Sequence, residues 1–469
     1  MASPAHDLPR ELGLNDLALT QILFIVGLPW VGVAAKQGPA HVVFWLIAAL
    51  LFYVPSAVVV IYLNRLMPLE GGLYQWAKLG INEFTGFLVA WNLWLFAILN
   101  TSDAGIQATQ YASYVLGPGY EWMTGSTLTI ALVSAVLVAG LVLLAIRGFS
   151  VGKWVHKAGG ALMIGTFAML LIAPWLNAAN GTIPAYHPLA TAAPVVSLLS
   201  VNLLGKMGFG AFGGFEYVAI HAGECRNPVR TVAWSVVVAA PIIVVMFILG
   251  PSSVLALVPF DRIDLIAPIP QVLTIGFGGL GSRVPIAAIT IVVLLAVRLA
   301  QASVMFTGNT RLPMVAGWDG LLPAWFTRLH PRYRTPVNST VFIGGMTFAF
   351  SIAGLIGVGR QEAFQLLWNA SAVFYALTYL VMFAIPIVGF RGRGPAAPLW
   401  VRINAASGFA MTLLFVVLSI VPIVQVESRL LFALKLSGLI VLTNIAGAAI
   451  FIARAGGARP SGRNLKSAV

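Results

Sequence analysis

Four ionisable side chains stand inside long apolar runs: Asp103 in LNTSDAGIQ, Lys206 and Glu216 in GKMGFGAFGGFE, and Arg298 in LLAVRLAQASVMF. A charge at the centre of a bilayer costs about 2.5–3.5 kcal/mol on insertion scales, so each needs a partner, a water-filled cavity or a route to the interface. The chemistry open to them is ligand binding and charge transfer. Arg298 is a fixed cation and Asp103 a candidate partner for it. Arg298, Gln301 and Met305 recur at i, i+3 and i+7 and so share one helix face. Glu216 is either a proton carrier beside an opened helix or a carboxylate capping free amides, and both readings stay open. Lys206 has a stem long enough to reach the interface, which favours snorkelling.

Two stretches are built to interrupt helices. FIVGLPWVGVAA at 24–35 places Gly27, Pro29 and Gly32 inside a run of membrane-spanning character, where proline removes an amide proton and glycine forfeits helix stability. Proline is tolerated at the first position of a helix, so Pro29 should begin a new half-helix. The amides of Trp30, Val31 and Gly32 would then be free to attract a carboxylate. The second stretch carries Gly205, Gly208, Gly210, Gly213 and Gly214. Its first half should end near Phe209 and Gly210, with carbonyls at a negative dipole end suited to an ammonium group; Phe212 and Gly213 adjoin this break. One kink is ordinary in a membrane helix, but two in repeat-related positions point to a binding site, because open backbone in lipid must be satisfied by protein, water or ligand. Trp30, inside the first break, should face that site.

The elements that must position these residues follow from composition. The chain has 469 residues, 59% hydrophobic and 9% charged, with a mean hydropathy of +0.93, values of a polytopic membrane protein. Apolar runs of about 20 residues recur throughout. The expected architecture is an all-α integral membrane protein of twelve transmembrane helices at 17–36, 41–64, 84–115, 126–146, 151–176, 196–223, 231–257, 285–308, 337–357, 362–389, 398–424 and 429–453. Breaks in spans 1 and 6 each open a block of five helices with opposite starting sides, the signature of a 5+5 inverted repeat: repeat one at 17–176, repeat two at 196–389, and extra helices at 398–453. Residues 1–16 and 454–469 are expected to be tails, and no basic leader precedes the first span.

The net charge of +13 is sorted by loop. With the N-terminus inside, nineteen of the 27 Lys and Arg fall in tails and inner loops, among them Arg147, Arg226, Arg230, Arg311, Arg328, Arg332, Arg334, Arg391 and Arg402, which places both termini in the cytoplasm. No nucleic-acid partner is therefore expected; the lipid bilayer is the partner. The single cysteine, Cys225, excludes an intrachain disulfide and a thiolate cluster. His156 and His221 lack metal-like spacing, so neither metal nor cofactor is expected. No phosphate loop or hydrolase motif occurs, so no catalytic residue is proposed.

Three segments carry a family resemblance. GAFGGFEYVAIHAGECRNPVRTV at 210–232, NTRLPMVAGWDGLLPAWFTRLHPRYRTPVNS at 309–339 and PLEGGLYQWAKLG at 68–80 resemble the amino acid–polyamine–organocation superfamily with the leucine-transporter fold. That resemblance implies alternating access, with a bundle of spans 1, 2, 6 and 7 rocking against a scaffold that includes spans 3 and 8. It turns the Arg298 face and Asp103 toward the site. Two departures mark this sequence: Gly27–Gly32 replaces the usual Gly-Ser-Gly-Ile, and Gly210 stands where a bulky aromatic is common. Some relatives carry a lysine on span 5 in place of bound sodium; Met163 occupies that position here, and Arg298 is the candidate substitute. The expected function is secondary active transport of an amino acid, sodium-independent, by proton symport or exchange. A polyamine or amine transporter recognising its cargo through Asp103, and a non-transporting sensor, are the alternatives; partner subunits stay open.

Overall fold

The computed structural model describes residues 13–67, 72–147, 149–217, 225, 227–278, 285–318, 322–333, 335–356, 360–389, 396–423 and 426–455. Span 1 is two helices. α1 (Leu14–Ile25) stops where the Gly27 N–H turns back to the Ile25 carbonyl at 2.7 Å, and α2 (Pro29–Ala35) restarts on Pro29 after a bend of 54°. Proline opens α2 because its missing N–H is one that no helical carbonyl would have met. Span 2 runs through α3 (His41–Ala48), a wide π turn at Ala49–Tyr53 and α4 (Val54–Leu66). A short amphipathic α5 (Leu73–Gly80) follows.

Span 3 is also interrupted. α6 (Glu83–Ser102) and α7 (Ala104–Leu116) meet at Asp103. A short α8 (Trp122–Gly125) leads to α9 (Thr127–Arg147) and the 31-residue α10 (Phe149–Ala179). Of span 6 the described part is α11 (Leu198–Gly205), a π turn at Lys206–Ala211, and backbone that breaks at Phe212–Gly214, where Gly214 holds φ 142°. The rest of that span, 218–223, lies outside the described residues, as do Arg226, Asp319, Arg334, Arg391, Arg393 and His221.

α12 (Pro228–Leu257) is span 7. The connection to span 8 contains α13 (Pro268–Gly278), eleven residues that bury Ile269, Val272 and Leu273. It is too short to cross a bilayer and sits as a cap, with Pro268 against Gly32 of α2. α14 (Ile286–Trp318), α15 (Val337–Ala353), α16 (Arg360–Val388), α17 (Leu399–Leu418) and α18 (Arg429–Ala455) complete the chain. Among the described residues nine helices are long and apolar enough to cross a membrane, and the bent α1–α2 pair makes a tenth; α15, at 17 residues, is a shorter apolar helix. The molecule is an all-helical, multi-pass membrane protein.

The core runs through the middle of this bundle. α1, α2, α12 and the span 6 turn bury Phe24, Trp30, Phe212 and Phe247, while α6, α14 and α16 oppose them with Phe96, Met305 and Tyr375. α9 and α18 lie at the edge of the bundle: Leu128, Leu132 and Val136 of α9 and Leu430, Leu434, Leu442 and Ile445 of α18 are all more than half exposed, which is the face lipid covers.

Candidate functional site

The two breaks meet. Gly27, Leu28, Pro29 and Trp30 from one and Phe209, Gly210 and Gly213 from the other line a single cavity, completed by Arg298, Gln301 and Met305 of α14 and by Trp368, Ser371, Ala372 and Tyr375 of α16. Its volume is about 60 Å³, and a water needs at least about 10–15 Å³ on this measure, so there is room for a cluster of waters or a small solute. The three α14 residues at i, i+3 and i+7 all reach it.

Each break is satisfied by a side chain from an opposing helix. Gln301 donates through Nε2 to the carbonyls of Leu23 and Val26, both at 2.8 Å, so its amide secures the open end of α1. At the other break the Gly214 N–H donates to the Tyr379 hydroxyl at 2.7 Å. Tyr379 and Tyr375 in turn both donate to the carboxylate of Glu216. Open backbone at this depth persists only when such partners exist.

Part of each expected set of free groups is already used. The Phe209 carbonyl accepts from the Gly213 N–H at 2.9 Å, because the π turn carries the helix past Gly210 and moves the break to 212–214. The Trp30 amide is likewise taken, by the Gly27 carbonyl at 3.2 Å. Val31 packs on Gly250, Gly32 packs on Pro268, and Phe212 turns away to stack with Tyr53 at 4.3 Å and meet Trp45 edge-on at 5.0 Å. Those three are packing positions outside the cavity wall, since α2 turns Val31 and Gly32 toward α12 and α13 and the span 6 break turns Phe212 toward span 2.

Trp30 has a defined seat. A Cβ added at Gly210 would lie 2.4 Å from its ring, and one added at Gly27 would lie 2.5 Å from it. The indole therefore needs both glycines, and it meets Trp368 edge-on at 5.3 Å. Together the two tryptophans separate the main cavity from a smaller one on the α2 side. On the α1 side Phe24 stacks on Tyr217 at 4.1 Å, and the Tyr217 hydroxyl bonds the Val304 carbonyl.

Arg298 reaches the cavity wall and is held from behind. Nη2 donates to Asp103 Oδ1 at 2.7 Å and to the Asn100 carbonyl at 3.2 Å, and Nε donates to Gln107 Oε1 at 2.7 Å, while Gln107 donates to Asp103 Oδ2 at 3.0 Å. Asp103 is 0% and Arg298 5% exposed, so this is a buried, hydrogen-bonded ion pair of the kind that survives desolvation. Asp103 lies one layer outside the cavity, its carboxylate committed to Arg298 and Gln107. Met163, where some relatives place a lysine, is buried in the core.

Lys206 does not snorkel. It is 1% exposed, and its Nζ donates to Asn369 Oδ1 at 3.0 Å. The π turn beginning at Lys206 points the stem inward against α16 and α17, with the ammonium 5.8 Å from the Phe415 ring centre. Sequence reading also overlooked α16 as a wall. Trp368, Ser371, Tyr375 and Tyr379 recur every three or four residues, a polar and aromatic stripe on one face of an apolar helix that was available as a signal.

A second carboxylate ties the cap to the scaffold. Asp264 Oδ2 accepts from Gln110 at 3.0 Å and Tyr114 at 2.9 Å on α7, and Oδ1 accepts from the amides of Ile266 and Ala267 at 2.8 and 3.1 Å. Hydrogen bonds to charged groups are each worth about 1.5–3 kcal/mol. Asp264→Ala is expected to loosen the cap, so that a cysteine placed at Ser371 reacts with a thiol reagent added from the α2 side about 10- to 150-fold faster, the range such an energy corresponds to. An unchanged labelling rate would show that the cap closes without this carboxylate.

Comparison with known proteins agrees with this architecture. The model of the amino acid permease family matches residues 13–446. An uncharacterized transporter of Legionella pneumophila is 25% identical over 384 residues, covering 81% of each chain. A branched-chain amino acid permease of Bacillus subtilis is 23% identical, covering 78% of this chain and 81% of its own. A methylthioribose transporter of the same species is 23% identical, covering 76% and 77%.

Proposed function

The chain belongs to the amino acid permease family, and from that premise we propose that it is a secondary active transporter carrying a small apolar amino acid by alternating access. The observation that carries this reading is the meeting of two interrupted helices around one cavity capped on both sides. The walls supplied by Phe24, Ile25, Phe96, Met305 and Ala372 suit an apolar side chain. Backbone at both breaks, from Gly27 to Pro29 and at Gly213, lines the same cavity, and in this reading it meets the charged ends of the amino acid. In this reading spans 1–5 and 6–10 form an inverted repeat within twelve spans, and both termini face the cytoplasm of a cell membrane.

Transport is read as sodium-independent, with Arg298 holding permanently the positive charge that a bound sodium ion would otherwise supply. An amine substrate is disfavoured because Asp103 and Glu216 are already committed to Arg298 and to Tyr375 and Tyr379. Uptake into proteoliposomes of labelled amino acids, with methylthioribose and a polyamine as comparators, tests the reading. Uptake of an apolar amino acid without sodium is expected. Sodium-dependent uptake would remove the surrogate role of Arg298.

Glu216 is the proposed proton carrier, since it accepts from Tyr379 and from Tyr375, which lines the cavity, and is not tied up in an ion pair with Arg298 as Asp103 is. Glu216→Gln is expected to lower pH-gradient-driven uptake by about tenfold or more while exchange of labelled for unlabelled substrate continues, general acid–base groups being worth about 10²–10⁴ where a proton must move. Gradient-driven uptake equal to wild type would leave Glu216 a purely structural link between the break and α16.

A further inference from the structure

Beyond the Trp30–Trp368 partition lies a second cavity, lined by Lys206, Leu265, Ile266, Gln361, Phe364 and Gln365 together with the two tryptophans. Its volume is about 20 Å³, enough for one or two water-sized groups. Among the described residues no carboxylate lines it. Glu362, the nearest acid in sequence on α16, is paired with Lys435 at 3.9 Å and is not part of the wall.

Lys206 is the one charge in that wall. An ammonium has three donors, and one of them is used, on Asn369 Oδ1. That oxygen is saturated, since it also accepts from Gln365 Nε2 at 3.1 Å, and Asn369 is locked in this orientation by donating to the Ser419 carbonyl at 3.0 Å. A buried cation without a counter-ion is expensive, because desolvation is not returned by Coulomb attraction. Arg298 has Asp103 and Glu362 has Lys435, while Glu216 is met by the hydroxyls of Tyr375 and Tyr379. What Lys206 faces instead is an empty space of the right size for two oxygens, rimmed by the amide side chains of Gln361 and Gln365.

We propose that this second cavity is a carboxylate-binding subsite, in which the Lys206 ammonium and the neighbouring amide side chains hold the carboxylate of the transported molecule outside the tryptophan partition. The proposal deepens the transport reading and rests on it only for the natural occupant; the site itself stands on the unpaired buried cation and the cavity beside it. The occupant waits against Trp30 and Trp368 and enters the main cavity when they part.

The test is the thermal unfolding midpoint of the purified full-length protein, titrated with sodium propionate and with sodium chloride at equal ionic strength. Ala372→Leu, which fills the main cavity, removes that site from the readout. In this background propionate is expected to raise the midpoint saturably and chloride is not. Adding Lys206→Met should raise the half-saturating propionate concentration by about tenfold or more, the equivalent of about 1.4 kcal/mol. Gln361→Trp, at the exposed rim of the cavity, should do the same without touching the lysine, so a folding defect in the Lys206 variant does not decide the matter. No propionate response in Ala372→Leu, a response that survives both further substitutions, or an equal response to chloride overturns the subsite. Failure of wild-type protein to transport any solute would overturn the transport reading and leave this binding result standing.

Discussion

Arg298→Met is expected to abolish transport and to destabilise the protein severely, because it leaves the Asp103 carboxyl wholly buried and without its 2.7 Å partner. Removing one member of a buried pair typically costs about 3–5 kcal/mol, whereas replacing both by apolar or neutral groups is often neutral. The informative comparison is therefore the double variant Asp103→Asn with Arg298→Met. It should regain the wild-type unfolding midpoint to within a few degrees and still fail to transport, since the fixed charge beside the cavity is gone. A folded double variant that transports at the wild-type rate would reduce the pair to scaffolding. Asp103→Asn alone should be milder, because Arg298 keeps Gln107 and the Asn100 carbonyl as acceptors.

Gly210→Leu should lower the initial rate of uptake by about a hundredfold, the scale that a displacement near 1 Å at a working site produces. Even the first carbon of the new side chain would lie 2.4 Å from the Trp30 ring, and the ring has little room to retreat, because its opposite edge already lies against the Gly27 backbone, where a Cβ would be 2.5 Å from it. Overpacking of this sort costs about 1–3 kcal/mol when the neighbours yield. Here yielding means pushing Trp30 into the cavity or away from Trp368, and either spoils the partition. Trp30→Ala with Gly210→Leu should recover much of the lost rate, since the branched side chain takes the space the indole vacates. Gly210→Leu that transports normally would show that the tryptophan is packing and not partition.

The legibility of this protein in its sequence follows the range of the forces involved. Hydropathy summed over some 20 residues is a local quantity, and it marked the spans, the multi-pass membrane class and the position of Pro29 at the start of a new half-helix. Glycine and proline are local too, and both interruptions were visible in GLPWVG and GFGAFGG. The i, i+3, i+7 pattern put Arg298, Gln301 and Met305 on one face, and all three reach the cavity.

Local signals stop at the question of which groups satisfy which. The carbonyl expected to be free at Phe209 and the amide expected to be free at Trp30 are used within their own segments, because helical hydrogen bonding continues past the π turn to Gly213 and a tight turn closes Trp30 onto Gly27. The stripe on α16 was written in the sequence, but only packing shows that Tyr375 and Tyr379 meet Glu216 more than 150 positions away. Lys206 was misread for the same reason: reaching the interface depends on where a helix turns its stem, and the π turn turns it into the protein toward Asn369.

By itself, then, the sequence determined what kind of solvent this chain lives in, where its helices must fail, and which charged groups had to find company, since each of these is set by free energies belonging to single residues or short windows. Tertiary structure alone decided who that company is. Arg298 with Asp103, Gln301 with the end of α1, Tyr379 with Gly214 and Trp30 between two glycines are contacts between distant segments, and their energies depend on distances that no window of sequence contains.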